Sequence, residues 1–580
     1  MPAVKAPTPK QTFEPDVRQA QAIEHVAGPM LVVAGAGTGK TTVLTKRIAR
    51  LVREGHAQPK EILALTYTEN AASEMRQRVQ VELHETGAAG LQAETFHAYC
   101  NNLLHRYGKE FGVLDDKDLW IFLRRRLSEL HLRYFVRAAN VAQFLDDLLD
   151  FMRRCHDELV TPLMYAEYVA SLERGELPIP RVGKSKDAAT ISDEEVLARC
   201  REISHVFAKV EDMLQKENLG TFGHMITRAY HLLENDVEVV HKERGQIRFI
   251  LVDEFQDANF AQVKILQKLA GDSRNVFAVG DPDQAIYHFR GASSAAFQLF
   301  QQSFPASRMV VLDRNRRSLA PILKCAFALI QKNPPFFSQD RSLEYQRSPL
   351  ISARSEEAQQ SDKPLPAAPV EAVVLSAKEI ESSDLAASLI EKHKQSKWKE
   401  MAVLYRSHFH RDELAAELAE RKIPFSIENL DVLDTSEARD LFACLGAVVS
   451  EADGASLLRV AALGKFNIDG QKLRQAIRQL RNSRDAGVAM ALRQVDGGAE
   501  VLETLQKARQ QISAASAKSR EALGIIVCCF GLSATSPVIS AILDFATRWE
   551  KKKTTRTLEI SEFLDYFEYF REARGTICLP

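Results

Sequence analysis

Three short apolar runs mark the N-terminal half of the chain: Met30-Leu31-Val32-Val33, Ile62 to Leu65, and Phe249-Ile250-Leu251-Val252. None of them alternates with polar residues. Continuous apolar runs of this length are the pattern of parallel strands covered on both faces. After the first run, Val43, Leu44, Ile48 and Leu51 recur at helical spacing between Thr42 and Val52. After the second, Met75 and Val79 do the same. Strand followed by helix predicts an α/β fold with a parallel sheet. Residues from about 108 to 218, and again from 446 to 580, carry mainly helical patterns. Residues 172–192 and 352–369 are rich in small, polar and turn-forming residues and are predicted to be loops, the second too polar to pack.

The chemistry sits at the ends of the apolar runs. The first run ends in Ala34-Gly35-Ala36-Gly37-Thr38-Gly39-Lys40-Thr41. Glycines between a strand and a helix let backbone N–H groups turn inward around a phosphate chain, and the helix N-terminus adds its positive dipole end. Lys40 is expected to reach the terminal phosphates and the Thr41 hydroxyl to bind Mg²⁺. The first position is Ala34 where the general pattern has glycine; a small residue suffices there if its φ is negative. The third run ends in Asp253-Glu254, two carboxylates at one strand end. Asp253 is expected to hold Mg²⁺ and Glu254 to accept the proton of an attacking water. The second run ends in Thr66-Tyr67-Thr68-Glu69-Asn70, and hydroxyls and an aromatic there face the ligand crevice of an open α/β sheet. Gln19, one helix upstream of the glycine loop, offers a donor and an acceptor suited to the edge of adenine.

Size and composition limit the remaining possibilities. A chain of 580 residues suggests roughly three to five domains or subdomains. The net charge of −1 gives no overall pull toward nucleic acid, so any such binding must come from local basic faces. Candidates are Arg124, Arg125, Arg126, Arg133 and Arg137 in the first helical region, and Arg474, Arg478, Arg481 and Arg484 or Lys551, Lys552, Lys553 and Arg556 in the second. A solvated helix face accounts equally well for the first set and better for the two in the second region. The eight cysteines show no Cys-x-x-Cys spacing, so neither zinc nor an iron–sulfur cluster is indicated. They fit a reducing, cytoplasmic compartment. No secretory leader is visible, and no run of about 18 apolar residues predicts a membrane span.

Taken in order, AGAGTGKT, TYTENAA, the Thr95-Phe96-His97 triplet, LVDEFQD (251–257) and VGDPDQAIYHFRGA (279–292) resemble the motif series of UvrD/Rep/PcrA helicases of superfamily 1. Leu312 to Ser318 and Leu404 to His408 resemble two further motifs of that family. The resemblance implies two RecA-like domains with ATP between them, two mainly helical inserted subdomains, and single-stranded DNA across the top. By resemblance, Gln19 reads adenine, and Ala34, Gly35, Ala36, Gly37, Thr38, Gly39, Lys40, Thr41 and Thr42 hold the phosphates. Thr41 and Asp253 hold Mg²⁺, Glu254 positions the water, Gln284 senses the γ-phosphate and Arg317 serves as an arginine finger. Thr66, Tyr67, Thr95, His97, Tyr287, Phe289 and Arg290 resemble positions that touch the DNA strand, with Ser407 and His408 adding contacts. Aromatic faces stack on bases without reading sequence, and arginines and hydroxyls take phosphates.

Departures from the family pattern modify these expectations. Arg316 stands where many members carry a tyrosine that stacks on adenine; a guanidinium also stacks on a ring. Glu69-Asn70 replaces Asn-Lys, removing a positive charge near the DNA track. The later Thr-x-His-x-x-Lys-Gly motif and an Arg-containing motif do not occur in residues 318–580. The second RecA-like domain is therefore expected to be incomplete, and the chain either a fragment or completed by another polypeptide. The expected domains are 1–107 with 219–305 (first RecA-like), 108–218 (helical insert), 306–445 (second RecA-like, partial) and 446–580 (second insert). The expected activity is 3′–5′ ATP-dependent translocation on single-stranded DNA and at single-strand/duplex junctions. Alternatives are a module that binds ATP and single-stranded DNA without turnover, and the helicase subunit of a helicase–nuclease. No membrane partner is expected, and a protein loading partner is left unidentified.

Overall fold

The computed structural model describes residues 14–83, 88–135, 141–180, 191–285, 296–333, 346–361, 370–394, 396–428, 430–480 and 487–579. The chain divides into two compact units, residues 1–371 and 372–580.

The first unit is built on a six-stranded sheet. Its strands in chain order are β1 (Met30–Ala34), β2 (Ile62–Thr66) and β3 (Gln92–Thr95), then, after a smaller pair β4 (Gly112–Leu114) and β5 (Leu219–Thr221), β6 (Phe249–Val252), β7 (Val276–Gly280) and β8 (Arg308–Leu312). The spatial order is β3-β2-β6-β7-β1-β8 and every ladder is parallel. The three apolar runs are the adjacent pair β2 and β6, and β1 beyond β7. Their continuity has a direct cause, since both faces are covered. Leu31, Val33, Leu63, Leu65, Ile250 and Val252 point into one buried cluster. Met30, Val32, Ile62, Ala64, Phe249 and Leu251 point into the other. Each large side chain so buried contributes about 1.5–3 kcal/mol.

Four helices frame the crevice at the carboxyl ends of these strands: α1 (Val17–Glu24), α2 (Lys40–Arg53), α3 (Glu69–Glu82) and α4 (Phe96–Arg106). The helical region predicted from about 108 to 218 is present, with helices at Asp116–Arg125, Val141–Asp157, Pro162–Glu173 and Asp193–Lys216. The parallel pair β4–β5 ties its two ends together. Within its basic face, Arg126 pairs with Glu217 at 2.7 Å and lies over the Phe122 ring, a structural arrangement.

Residues 308–312, just past the expected boundary at 305, form a strand that pairs with β1 over five positions. One sequence expectation meets a different outcome here. Residues 352–369, read as a loop too polar to pack, begin in structure: β10 (Ile351–Ser352) pairs in parallel with β9 (Arg314–Asn315), and helix Ala353–Gln360 follows. Polarity is what makes this possible. Ser352 caps the helix by accepting from Ser355 N–H, and its own hydroxyl donates to the Ser318 carbonyl.

The second unit is mainly helical, including the described part of residues 446–580, whose pattern predicts helices. Helices Ser436–Val449, Gly498–Ala515, Ser519–Phe530, Pro537–Glu550 and Ile560–Glu572 supply most of its buried side chains, including Phe530, Trp549 and Phe563. Nearer its start, helices Glu381–His393 and His408–Glu420 pack a small core of Ala386, Leu414, Leu418 and Ile423. Residues 370–376, ahead of the first of these helices, and 401–405, between the two, enter no ladder among the described residues. No helix of the described residues is long and apolar enough to cross a membrane.

Candidate nucleotide site

The glycine loop joins β1 to α2 in the predicted context. Gly37 and Gly39 take φ of +76° and +89°, the left-handed region that side chains resist. Gly39 is also the N-cap of α2, so the first-turn amides receive no side-chain cap and point into the loop. Thr38 is fully buried and closes the loop on itself, its hydroxyl donating to the Gly35 carbonyl at 2.7 Å. Ala34 ends β1 in extended backbone, so the missing first glycine costs nothing.

β1 and β6 bring the predicted chemistry together. Lys40 Nζ lies 2.7 Å from Glu254 Oε2. Thr41 Oγ1 lies 3.3 Å from Asp253 Oδ2. The backbone of Glu254 is itself left-handed, with φ of +49°, a conformation costing roughly 1–2 kcal/mol. It lets the adjacent Asp253 and Glu254 serve one site although successive strand residues face opposite ways. Burial, and then the Glu254 charge, push the Asp253 pKa up to about 6. The same two causes push Asp257 up to about 6, and its Oδ1 is buried with no hydrogen-bond partner among the described residues. A hydroxyl and a carboxylate side by side fit two neighbouring positions of an octahedral, oxygen-liganded cation. A buried carboxylate that resists ionisation gains most from such a cation.

Gln284 stands at the same crevice. Its Nε2 donates at 2.7 Å to Asp281 Oδ2, and that oxygen is 3.8 Å from where a Cβ on Gly35 would sit. Sequence reasoning missed the connection between this turn and Glu254. Gln256, 3% exposed, donates to Glu254 Oε2 at 2.7 Å and accepts from Asp281 N–H at 2.9 Å. A side chain on Gly280 would collide with it, at 2.5 Å from Gln256 Oε1. The only sequence signal was its place between Glu254 and Asp257.

Arg316 and Arg317 lie against the loop. A Cβ on Gly37 would be 2.7 Å from Arg317 Cβ. Arg316 reaches Gln19 Oε1 at 3.3 Å. Gln19 is 1% exposed; its Nε2 donates to the Thr38 carbonyl and its Oε1 accepts from Asp16 N–H. In this state Gln19 holds the loop and caps α1, so an adenine edge must displace these bonds to be read by it. Thr42 follows Thr41 in the first turn of α2.

The expected DNA contacts divide. Thr66 is 1% exposed, with its hydroxyl donating to the Thr68 carbonyl. Thr95 is buried as the cap of α4, accepting from Ala98 N–H and donating to Glu69. In the structure Thr95 thus satisfies an orphan amide of α4, while Thr66 braces the turn that leads to the Thr68 cap of α3. Tyr67 is half-buried at the crevice. His97 packs edge-on to Phe222, and burial lowers its pKa. Tyr287, Phe289 and Arg290 lie outside the described residues, as does the side chain of His408. Ser407 is exposed at the start of helix His408–Glu420 in the second unit.

A second polar cluster, with no sequence signal, joins His156, Glu211 and His224 in the helical region. Thr221 N–H donates to His224 Nδ1, which leaves the His224 proton on Nε2, donated to Glu211 at 2.9 Å. Burial works to raise the Glu211 pKa, but hydrogen bonds from both imidazoles outweigh it and hold it well below the usual range. The cluster as it stands is a hydrogen-bonded lock between helices.

Family models match almost the whole chain: the UvrD/REP helicase N-terminal domain over residues 16–305 and the UvrD-like helicase C-terminal domain over residues 310–574. The chain belongs to the UvrD/Rep helicase family. Its sheet is accordingly the RecA-like sheet of that family, and the C-terminal match runs through the region from which the two late motifs are missing. The chain is 30% identical over 469 residues to ATP-dependent DNA helicase Rep of Escherichia coli, covering 79% of this chain and 62% of that protein. It is 26% identical over 492 residues to ATP-dependent DNA helicase PcrA of Leuconostoc citreum, covering 83% and 58%. A probable DNA helicase of Mycoplasma pneumoniae is 31% identical over 300 residues. The chain thus spans about six-tenths of the length of the Rep and PcrA relatives it matches.

Proposed function

We propose that this chain is an ATP-dependent DNA helicase that moves 3′ to 5′ on single-stranded DNA, with Mg²⁺·ATP as its fuel. The observation that carries the reading is the meeting of Lys40, Thr41, Asp253 and Glu254 beneath the glycine loop, with Gln284 and Arg317 at its rim. Loop amides and Lys40 bind the phosphates. Thr41 and Asp253 would hold a Mg²⁺, which when bound would neutralise phosphate charge. Glu254, released from Lys40 by the incoming phosphate, orients the attacking water and takes its proton. Arg317 neutralises charge on the transferring phosphoryl group, an effect worth about 10³-fold or more in rate. Gln284 changes partner when the γ-phosphate leaves. Gln256 relays the position of Glu254 to the Asp281 turn.

The direct test uses duplexes bearing one single-stranded tail. Unwinding of the 3′-tailed duplex, with the 5′-tailed one left intact, is expected. Unwinding of the 5′-tailed substrate alone contradicts the polarity.

A second reading is a module that binds ATP and single-stranded DNA without turnover. It is favoured by the unpaired stretches 370–376 and 401–405, which leave a second parallel sheet unformed among the described residues. Tight binding of both ligands with no phosphate release would select it.

A further inference from the structure

Asn315 stands between the glycine loop and Arg317. It is 1% exposed. Its Oδ1 accepts from the backbone N–H groups of Arg317 at 2.9 Å and Ser318 at 2.7 Å. Its Nδ2 donates to the Ala36 carbonyl in the glycine loop at 2.5 Å. Beside it, Arg316 N–H donates to the Gly37 carbonyl at 2.8 Å. A Cβ on Gly37 would fall 2.7 Å from both Asn315 Nδ2 and Arg317 Cβ, so loop and turn touch without room for a methyl group. One planar amide therefore does two jobs. Its carbonyl end shapes the turn that carries Arg316 and Arg317; its NH₂ end pins that turn to the phosphate loop. Because the amide is rigid, a shift of Ala36 is passed on to Arg317 N–H. The Arg317 side chain is exposed, and no acceptor holds its guanidinium among the described residues.

We propose that Asn315 is a positioning residue for ATP hydrolysis: its amide fastens the Arg316–Arg317 turn to Ala36, so that filling of the loop by phosphates and delivery of the Arg317 guanidinium are one event. The inference rests on the reading of the Lys40–Glu254 site as an ATP-hydrolysing centre.

Asn315→Asp separates the two jobs. A carboxylate still accepts from Arg317 and Ser318 N–H but sets an oxygen against the Ala36 carbonyl, so the turn survives and the tether is lost. The full chain is compared with Asn315→Asp, Arg317→Ala and the double variant in ATP turnover with a single-stranded oligonucleotide. The ratio of ATPγS to ADP affinity is measured in each. Asn315→Asp is expected to lower kcat at least about tenfold with KM changed less than about threefold. In the Arg317→Ala background it should cost less than about twofold, because the group it positions is already gone. The ATPγS-to-ADP ratio should fall to the same value in both single variants. Equal losses from Asn315→Asp in both backgrounds, or an unchanged affinity ratio, overturn the proposal. If Asn315→Asp fails to fold, Asn315→Ser keeps a short acceptor for the turn but no reach to the loop, and the same readings apply. Absence of turnover in the unaltered chain would remove the hydrolytic reading, while the affinity ratio would still decide whether Asn315 links the loop to Arg317.

Discussion

The ammonium of Lys40 and the carboxylate of Glu254 form a 2.7 Å ion pair. On the proposed reading, the cation that would bind the terminal phosphates is held here by the carboxylate that would orient the attacking water. On that reading, ATP would exchange this pair for a lysine–phosphate contact, and the exchange would free Glu254 as its substrate arrives.

Glu254→Gln follows from this pairing. Glutamine leaves Lys40 without a countercharge but cannot act as a base. ATP affinity should stay equal or rise, while hydrolysis falls by about 10²–10⁴-fold. Equilibrium binding and single-turnover rates measured on the same preparation check both halves. An unchanged rate rules out Glu254 as the proton acceptor.

Gly37→Ala tests the loop geometry. The position has φ of +76°, and a methyl group there meets Arg317 Cβ and Asn315 Nδ2 at 2.7 Å. Strain and collision both fall on the phosphate cradle. We expect nucleotide affinity to drop by about tenfold or more, since each 1.4 kcal/mol is tenfold, with a small change in melting temperature. Undiminished affinity in a titration with labelled ATP would show that the loop refolds around the methyl.

Gln256→Met keeps the volume of the buried side chain and removes both of its hydrogen bonds, to Glu254 and from Asp281 N–H. The expected result is a loss of communication: the factor by which single-stranded DNA accelerates ATP turnover should fall by about tenfold, within the usual range of coupling between sites. The ratio of rates with and without oligonucleotide measures it. A ratio equal to that of the unaltered chain would remove Gln256 from the relay.

Asp157 gives a pH dependence remote from the nucleotide. Burial pushes its pKa up to about 6, against the opposing effects of Arg153 and of Asn259, which donates to it at 2.6 Å. Between the ordinary value of 3.8 and about 6, the folded chain binds a proton that the unfolded chain releases. Its contribution to stability therefore falls as pH rises through that window and is level above it. Asp157→Asn removes the cost of ionisation. The variant should melt higher than the unaltered chain at pH 8, with the gap closing toward pH 4. A gap that is constant with pH, or reversed, contradicts the assignment.

The convergence of the candidate nucleotide site was largely legible because its parts are local. A strand, a glycine loop and a helix are contiguous in sequence, and Asp253-Glu254 closes another apolar run. The two carboxylates fell where the loop needs them because parallel strands deliver their carboxyl ends to one edge. What stayed hidden depends on distant partners. Asn315 meets Ala36 across 279 positions, and nothing near either residue signals the contact. The burial of Thr66 and Thr95 was not legible either, because a hydroxyl at a strand end suits a ligand and the local turn or cap equally. The strand at Arg308–Leu312 carries no mark of which sheet it joins. Ser352 and its neighbours looked too polar to pack, yet their hydroxyls are what start the helix there.

The account depends most on one motor site that answers to unpaired DNA. Phosphate release from Mg²⁺·ATP by the full chain, with and without a single-stranded oligonucleotide and alongside Lys40→Ala, tests that most directly. The account predicts that the oligonucleotide raises turnover to about 1 s⁻¹ or faster and that Lys40→Ala abolishes it. A rate indifferent to the oligonucleotide and undiminished in Lys40→Ala would contradict it.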